Sequence, residues 1–490
     1  MNAISRILEW PRDAEDSFAP ALWDAVELAR AMRGTAVGDF AVSGVEIDSR
    51  DVAEGDLFFA LKGESTDGHR FVAAAFAKGA AAVVCDNEAT GPHLRVSNTT
   101  KALIALGKAG RERTRAKIIG VTGSVGKTGV KEAIFGALDR SSRGAAHRSV
   151  RSYNNHVGVP LSLARMPGRS RFGIFEMGMY HAGEIRALAR QVRPHIAVIT
   201  TIAPAHIEML GSEEAIADAK AEIFEGLEPG GVAIIPADSP HFARLRDKAE
   251  RHAGAVVSFG RAAHADVRLL DAVPAPSTAF GGCGSLVTAD MGDRRLCYTV
   301  AEPGDHWVIN SLAVMAAVRA AGGDLGAAGI ALAEMAGLAG RGARLHIRAG
   351  DGTALVIDES YNANPASMRA TLAQLGKTEA RRRIAVLGSM KELGTHGRDY
   401  HAALATPIAE ANVDFAILVG DEMSALADEL GKAAQRALGK AVAFAHCRGP
   451  VEARQALIRF GVERGDAILV KGSNSVGLEG LVAALAGKEG

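Results

Sequence analysis

The glycine-rich run TGSVGKT at residues 122–128 constrains the possible fold of this chain more than any other feature. It follows the apolar stretch KIIGV at 117–121 and precedes a helical segment, so the pattern predicts a buried strand, a tight turn and a helix. Because Gly123 and Gly126 carry no side chain, successive backbone N–H groups and a helix N-terminus could surround a chain of phosphates. The run therefore predicts a nucleotide-binding loop.

Two side chains of this loop would carry its chemistry. Lys127 would neutralise the outer phosphates of ATP and the Thr128 hydroxyl would bind Mg²⁺, while Ser124 and Val125 complete the loop. The general phosphate-loop pattern has glycine at the position of Val121. That departure makes an ordinary kinase or GTPase a poorer match.

Composition and length limit the class of protein. A chain of 490 residues, 48% of them hydrophobic, suggests about three domains with large cores. A formal net charge of zero gives no general basic surface for nucleic acid. The four cysteines are scattered, which favours reduced thiols over disulfides or a zinc site. No apolar run suits a signal peptide or a membrane span, so we expect a cytoplasmic protein.

Strand-like apolar runs alternate with helical stretches along the chain, which predicts an α/β protein. We expect three domains: residues 1–112, a central domain at 113–335 with a mostly parallel sheet around the phosphate loop, and a Rossmann-like C-terminal domain at 336–490. Residues 260–300 give only weak strand signals. The predicted strands lie at 44–48, 56–60, 117–122, 173–176, 195–200, 231–236, 354–358, 383–387, 415–419 and 467–471.

Several further segments resemble one family in their order and spacing. Together with the phosphate loop they are similar to the Mur ligases, ATP-dependent enzymes that join a carboxylate to an amine. Residues 48–50 (DSR), 55–58 (GDLF) and 63–69 (GESTDGH) resemble the N-terminal, UDP-binding part of that family. The other matching segments are NNHVGVP at 154–160, EMGMYHAGE at 176–184, AHIE at 205–208, AKAEIF at 219–224 and DESYNANP at 358–365.

The last segment resembles the branch of the family that adds D-alanyl-D-alanine. This resemblance implies an enzyme that joins that dipeptide to a UDP-N-acetylmuramoyl tripeptide through an acyl phosphate, in peptidoglycan precursor synthesis for cell-wall growth and division. The implied partners are those two substrates, with ATP and Mg²⁺ as cofactors, and we expect a monomer. Whether the third residue of the tripeptide is diaminopimelate or lysine stays open.

The resemblance also implies a metal site. Thr128, Glu176 and His206 would bind Mg²⁺, and Lys220 would do so after CO₂ has converted it to a carbamate; Lys127, His206 and Lys220 would be the catalytic residues. Taken singly, each has a plainer interpretation: Glu176 as a charge at a strand end, His206 as a core histidine and Lys220 as a solvated helix residue.

Nucleotide contacts are implied at the domain boundary. Asn310 would contact adenine, Asp358 would hold the ribose hydroxyls, and Arg344 would reach the phosphates when the C-terminal domain closes. Arg341 is a rival for the last role. Asn310 could equally be a surface amide of a helix, and Asp358 a charge at a strand end.

Polar residues in the matching segments are the candidates for binding the two substrates. They are Ser49, Arg50, Asn154, Asn155, Asn362 and Asn364.

Two other functions compete with this one. A tripeptide-forming Mur ligase or a folyl-polyglutamate-type synthetase would share the central domain, but the run SYNANP at 360–365 argues against both. A nucleotide-dependent switch is a different class, and it would hydrolyse ATP without either peptide substrate.

Overall fold

The computed structural model describes residues 21–63, 66–150, 153–204, 207–277, 282–335, 337–435 and 442–487. We number the helices of this part of the chain α1–α17 and its strands β1–β22. The helices are Ala25–Met32, Val72–Ala77, Thr99–Glu112, Lys127–Ser142, Gly158–Ala164, Glu184–Val192, Ile207–Leu210, Glu213–Ala221, Phe242–Glu250, Asp305–Ala320, Leu325–Glu334, Pro365–Lys377, Gly397–Ala402, Ala405–Glu410, Ser424–Gln435, Pro450–Phe460 and Leu478–Leu485. The strands are Trp23–Asp24, Thr35–Val37, Ala41–Val42, Gly44–Glu46, Asp56–Phe59, Ala82–Cys85, His93–Arg95, Lys117–Thr122, Ala146–Arg148, Phe172–Glu176, Ile196–Ile199, Val232–Pro236, Ala255–Gly260, Val267–Ser277, Gly282–Asp290, Arg295–Val300, Ala343–Ala349, Gly352–Glu359, Arg382–Gly388, Phe415–Val419, Ala443–Cys447 and Asp466–Lys471.

Residues 1–115 and 156–170 form the first of two compact units. It contains a two-stranded antiparallel sheet, β1-β3, and a five-stranded sheet. The five-stranded sheet has the order β2-β7-β6-β5-β4, with β2 antiparallel and the other pairs parallel. Helix α5 packs against α3, and the Trp23 indole donates a hydrogen bond to the Ala164 carbonyl oxygen at 2.9 Å. Helix α5 was expected in the central domain, but residues 156–170, which include it, belong to the first unit.

The second unit comprises residues 116–155 and 171–490 and contains two sheets. In the larger sheet the order is β16-β15-β14-β13-β12-β11-β8-β10-β9. Strands β8 to β14 are parallel, and β15 and β16 extend the sheet as antiparallel strands. That extension is the region at 260–300 that gave weak strand signals. Helices α4, α10 and α11 cover this sheet with buried apolar side chains.

The smaller sheet of the second unit has the order β17-β18-β22-β19-β20-β21. Only β17 runs antiparallel, so the arrangement is Rossmann-like. The α/β class with mostly parallel sheets is confirmed, as is every strand that the sequence predicted. Among the described helices, none combines the length and apolar character that crossing a membrane requires.

The ends of four parallel strands position the candidate site. Strands β8 and β10 end at Thr122 and Glu176 in the larger sheet, and β18 and β22 end at Glu359 and Lys471 in the smaller sheet. In open parallel sheets the carboxyl ends of the strands form the crevice in which ligands bind.

A tight contact fixes the segment that carries Lys220. This segment is α8 and the 3₁₀ helix Glu222–Gly226 that follows it. The buried Glu222 carboxylate accepts hydrogen bonds from the N–H groups of Gly183 and Arg186 at the start of α6. Gly226 lies so close to α6 that a Cβ on it would be 2.4 Å from the Ala189 carbonyl oxygen.

We predict that Gly226→Ala lowers the free energy of unfolding by about 1–3 kcal/mol, because backbone must shift to admit the methyl group. Gly431→Ala is the matched control, since its Cβ would have no heavy atom within 4 Å. There the substitution should stabilise α15 by about 0.5–1 kcal/mol. Urea unfolding followed by circular dichroism measures both changes, and equal effects of the two substitutions would contradict the close contact at Gly226.

Candidate functional site

The phosphate loop adopts a conformation that requires its two glycines. Gly123 has φ +147°, and a Cβ there would lie 2.0 Å from the Thr200 hydroxyl oxygen. Gly126 has φ +85° at the N-terminus of α4, and its Cβ would lie 2.8 Å from Asn310 Nδ2. The loop is therefore packed between the end of β11 and the adenine-contact candidate Asn310.

Side chains fasten this loop to the segment that follows β11. The buried Ser124 hydroxyl donates to the Ala203 carbonyl at 2.9 Å and accepts from the Ala203 N–H at 3.0 Å. The Thr200 hydroxyl donates to the Val125 carbonyl at 2.5 Å. These bonds fix the backbone of the loop before any phosphate binds.

Lys127 begins helix α4 at the mouth of the loop. Its ammonium donates to the Gly123 carbonyl at 2.7 Å. Burial lowers the pKa of Lys127, and the nearby Glu176 carboxylate opposes that shift. A phosphate chain at the loop would supply more negative charge and favour the charged lysine.

The predicted residues Thr128, Asn154 and Glu176 meet at the end of β10. The Glu176 carboxylate is fully buried; it accepts from the Thr128 hydroxyl at 2.8 Å through Oε2 and from the Asn154 amide at 2.8 Å through Oε1. A hydroxyl and a carboxylate side by side are the hard oxygen ligands that Mg²⁺ prefers. These residues fit a magnesium ion, although no group of three or more His, Cys, Asp or Glu residues suited to a metal occurs in the described part of the chain.

Lys220 lies in the last turn of α8 and is buried, with 1% of its surface exposed. Burial, followed by the charge of Lys127, holds the pKa of Lys220 well below its usual range. Within the described residues its amine has no hydrogen-bond or ion-pair partner. CO₂ reacts with the neutral form of an amine, and a lowered pKa favours that form, so this environment fits a carbamate. His206 lies outside the described residues.

A cavity of about 460 Å³ joins these groups to the C-terminal sheet. Ten of the predicted residues line it: Ser124, Val125, Gly126, Lys127, Asn154, Glu176, Lys220, Asn310, Asn362 and Asn364. Gly123 and Thr128 do not line the cavity. They contact lining residues instead: the Gly123 carbonyl accepts from Lys127, and the Thr128 hydroxyl donates to Glu176. Asn155, Arg344 and Asp358 are not on the wall.

The two candidate arginines differ in position. Arg341 lines the cavity, and its guanidinium carbon lies 4.1 Å from the centre of the Tyr361 ring. Arg344 belongs to β17, where burial lowers its pKa and the charge of Glu302 opposes the shift. Of the two arginines, Arg341 is therefore the one that lines the cavity together with the phosphate loop.

The side chains of Asp358 and Asn364 both accept hydrogen bonds from backbone N–H groups. The Asp358 carboxylate accepts from the Gly340 N–H at 2.7 Å, and from the N–H and hydroxyl of Ser360 at 3.1 and 2.6 Å. Asn364 caps helix α12 by accepting from the Ser367 N–H at 2.9 Å. The ribose role expected for Asp358 stays a prediction; its neighbour Glu359 lines the cavity, whereas Asp358 does not.

Asn362 contributes its backbone to a buried contact. Its carbonyl oxygen accepts from the Lys471 ammonium at 2.9 Å, and the same ammonium lies 3.4 Å from Glu359 Oε2. Lys471 is buried at the end of β22, and burial lowers its pKa.

Sequence reasoning missed several residues of the wall. Glu359 directly follows the predicted strand 354–358, and Lys471 ends the predicted strand 467–471. The rule that ligands bind at strand carboxyl ends could therefore have identified both residues. Glu302 and His306 follow the antiparallel extension that the sequence did not resolve. The full set of missed charged or aromatic residues on the wall is Tyr180, Glu302, His306, Trp307, Glu359, Tyr361, Lys391, Glu392 and Lys471.

Ser49 and Arg50 belong to the first unit and follow β4. The Arg50 side chain is 86% exposed and pairs with Asp48 at 2.6 Å. Ser49 is half-buried.

Comparison with known families gives three consecutive matches. Residues 41–123 match the catalytic domain described for the Mur ligase family, residues 121–318 match the Mur ligase middle domain, and residues 343–474 match the Mur ligase glutamate ligase domain. The matches follow the order in which the sequence segments resembled this family.

Known proteins are similar over nearly the whole chain. The UDP-N-acetylmuramoyl-tripeptide–D-alanyl-D-alanine ligase of Bacillus subtilis (strain 168) is 32% identical over 90% of this chain and 92% of its own length. The protein of the same name from Escherichia coli (strain K12) is 30% identical over 91% of this chain and 94% of its own length.

A solved structure is also similar to this chain over nearly its whole length. The crystal structure of MurF from Acinetobacter baumannii has a TM-score of 0.79 and 30% identity, and the alignment covers 95% of this chain and 99% of that one. With the phosphate loop, the buried acid and the buried lysine on one cavity wall, the chain belongs to the Mur ligase family of ATP-dependent, peptide-bond-forming ligases.

Proposed function

We propose that this protein joins D-alanyl-D-alanine to the C-terminal carboxylate of a UDP-N-acetylmuramoyl tripeptide at the expense of ATP, in peptidoglycan precursor synthesis. One observation carries the proposal: a single cavity is lined both by the phosphate loop and by Tyr361, Asn362 and Asn364 of the segment typical of the D-alanyl-D-alanine-adding branch. The names of the similar proteins from B. subtilis and E. coli describe this same reaction.

The chemistry needs an activated carboxylate, because joining a carboxylate to an amine is unfavourable in water. The tripeptide carboxylate attacks the γ-phosphorus of ATP, ADP leaves, and an acyl phosphate forms. The dipeptide amine then attacks the acyl carbon, inorganic phosphate leaves and the amine loses its extra proton. Positioning and charge stabilisation supply most of the rate in phosphoryl transfer.

This chain supplies those effects at the loop. The N–H groups of the loop and Lys127 would neutralise charge on the transferring phosphoryl group. Thr128 and Glu176 would hold Mg²⁺, which supplies further positive charge at the phosphates. A carbamate on Lys220 would add an anion for a second ion and would face the positive charge of Lys127, which already influences Lys220.

We predict that Lys127→Ala lowers kcat by at least about 100-fold, because it removes a charge that acts in the transition state. Lys117→Ala is the control, since Lys117 is exposed at the opposite end of β8. Phosphate release that depends on both the UDP-linked tripeptide and D-alanyl-D-alanine is the measurement. Near-normal turnover of Lys127→Ala at saturating ATP would exclude this loop from catalysis, and wild-type phosphate release without either peptide substrate would contradict the proposed function.

We predict that Lys220→Ala is nearly inactive and that acetate or formate partly restores its activity by occupying the space of the carbamate. Lys220→Arg should stay inactive, because it keeps the charge but cannot form a carbamate. Lys248→Arg, on the exposed part of α9, is the matched control. A fully active Lys220→Arg protein would rule out the carbamate.

We predict that Arg50→Ala raises the KM for the UDP-linked tripeptide about tenfold, as expected for loss of a hydrogen bond to a charged group. The KM for ATP should not change. Exposed ion pairs contribute little to stability, so the Arg50–Asp48 pair can be broken without unfolding the first unit. Arg30→Ala on the exposed face of α1 is the control. Running the assay with both diaminopimelate- and lysine-containing tripeptides identifies the preferred third residue.

A further inference from the structure

Two carboxylic acids lie together on the part of the cavity wall that the sequence did not predict. Glu302 lies between β16 and α10, and Glu359 ends β18. A Cβ built on Gly342 would be 3.3 Å from Glu302 Oε2 and 3.7 Å from Glu359 Oε1. The two acids therefore flank the same glycine, whose missing side chain leaves room between them.

Glu302 is buried but incompletely bonded. Only 4% of its surface is exposed, and within the described residues its Oε1 atom has no hydrogen-bond partner, although the residue lines the cavity. Leaving a buried polar atom unbonded costs about 1–3 kcal/mol, so such atoms in folded proteins usually serve a purpose. A ligand in the cavity can provide the missing bond.

The surroundings limit what that ligand group can be. Lys471 lies 3.4 Å from Glu359 Oε2, Arg341 lines the same cavity, and the charge of Arg344 acts on Glu302. A metal ion or an ammonium group would be repelled by the positive charges of these three side chains. An anion would be repelled by the negative charge of Glu359. A neutral hydroxyl avoids both conflicts, because it carries no charge and can donate a hydrogen bond to a carboxyl oxygen.

The protonation of Glu302 agrees with a neutral partner. Burial, reinforced by the negative charge of Glu359, raises the pKa of Glu302 to about 8, and Arg344 opposes the shift. Its carboxyl group is therefore mainly uncharged at neutral pH and can both accept and donate a hydrogen bond.

The ribose of an adenine nucleotide carries hydroxyls of this kind. The phosphate loop lines the same cavity, and Asn310, which packs against Gly126 of that loop, lies eight residues after Glu302 along the chain. Asp358, the residue expected to bind ribose, already accepts three hydrogen bonds, one from the Gly340 N–H and two from the N–H and hydroxyl of Ser360.

We propose that Glu302 binds a ribose hydroxyl of the bound adenine nucleotide and thereby selects ribonucleotides over deoxyribonucleotides. The proposal rests on the ATP-dependent function proposed above and assigns a further specificity-determining residue to it.

The test is binding calorimetry on the full-length protein with ADP, 2′-deoxy-ADP and 3′-deoxy-ADP. The wild type should bind ADP about tenfold more tightly than at least one deoxy form, as for one hydrogen bond. Glu302→Ala should bind ADP about tenfold more weakly and that deoxy form unchanged, because the hydroxyl and its partner act as a pair. Glu302→Gln, which keeps an oxygen acceptor, should retain part of the preference.

Glu334→Ala is the control, because Glu334 is an exposed partner of Arg140. Equal weakening of ADP and both deoxy forms in Glu302→Ala would overturn the proposal, as would a wild type without preference. A change in the KM for the UDP-linked tripeptide without a change in ADP affinity would also overturn it, because the hydroxyl would then belong to the other substrate. If the wild type binds ADP selectively but does not ligate D-alanyl-D-alanine, the ribose contact stands and the proposed function falls.

Discussion

The buried carboxylate of Glu176 is the interaction on which the rest of the site depends. It ends a central strand, and its two oxygens hold the Thr128 hydroxyl at the start of α4 and the Asn154 amide that follows β9. A fully buried carboxylate is costly unless its oxygens are bonded, so these contacts specify one arrangement of three separate segments. The same oxygens are suitable for a magnesium ion beside the phosphate loop.

Lys127, Lys220 and Lys471 line the same cavity as this acid, and burial disfavours their charged form. Burial lowers the pKa of Lys127, Lys220 and Lys471, and Lys127 further lowers that of Lys220. Such clustering of like charges is unfavourable in the absence of anions, and a chain of phosphates would relieve it. For Lys220, loss of the proton is the other way to relieve it. One electrostatic property of the fold therefore favours both a bound chain of phosphates and the neutral amine that the proposed carbamate requires.

Close backbone packing provides the second constraint. Gly123 and Gly126 bring the phosphate loop against Thr200 and Asn310, and Gly342 makes room for two acids on the opposite part of the wall. Of these, only the two loop glycines belong to a recognisable sequence pattern. The importance of Gly342 depends on Glu302 and Glu359, which are 57 residues apart in the chain.

The sequence by itself determined the parallel-sheet class, the strand positions and most residues near the phosphate loop, because buried strands and a glycine-rich turn are local patterns. It also identified Glu176, Asn154 and Lys220 through the order of family segments. Only the tertiary structure decided that Arg341 lines the cavity, that the Asp358 carboxylate accepts hydrogen bonds from Gly340 and Ser360, and that Glu302 is buried with an unbonded oxygen. These properties depend on which distant segments pack together, and burial and charge are created by that packing rather than by any local pattern.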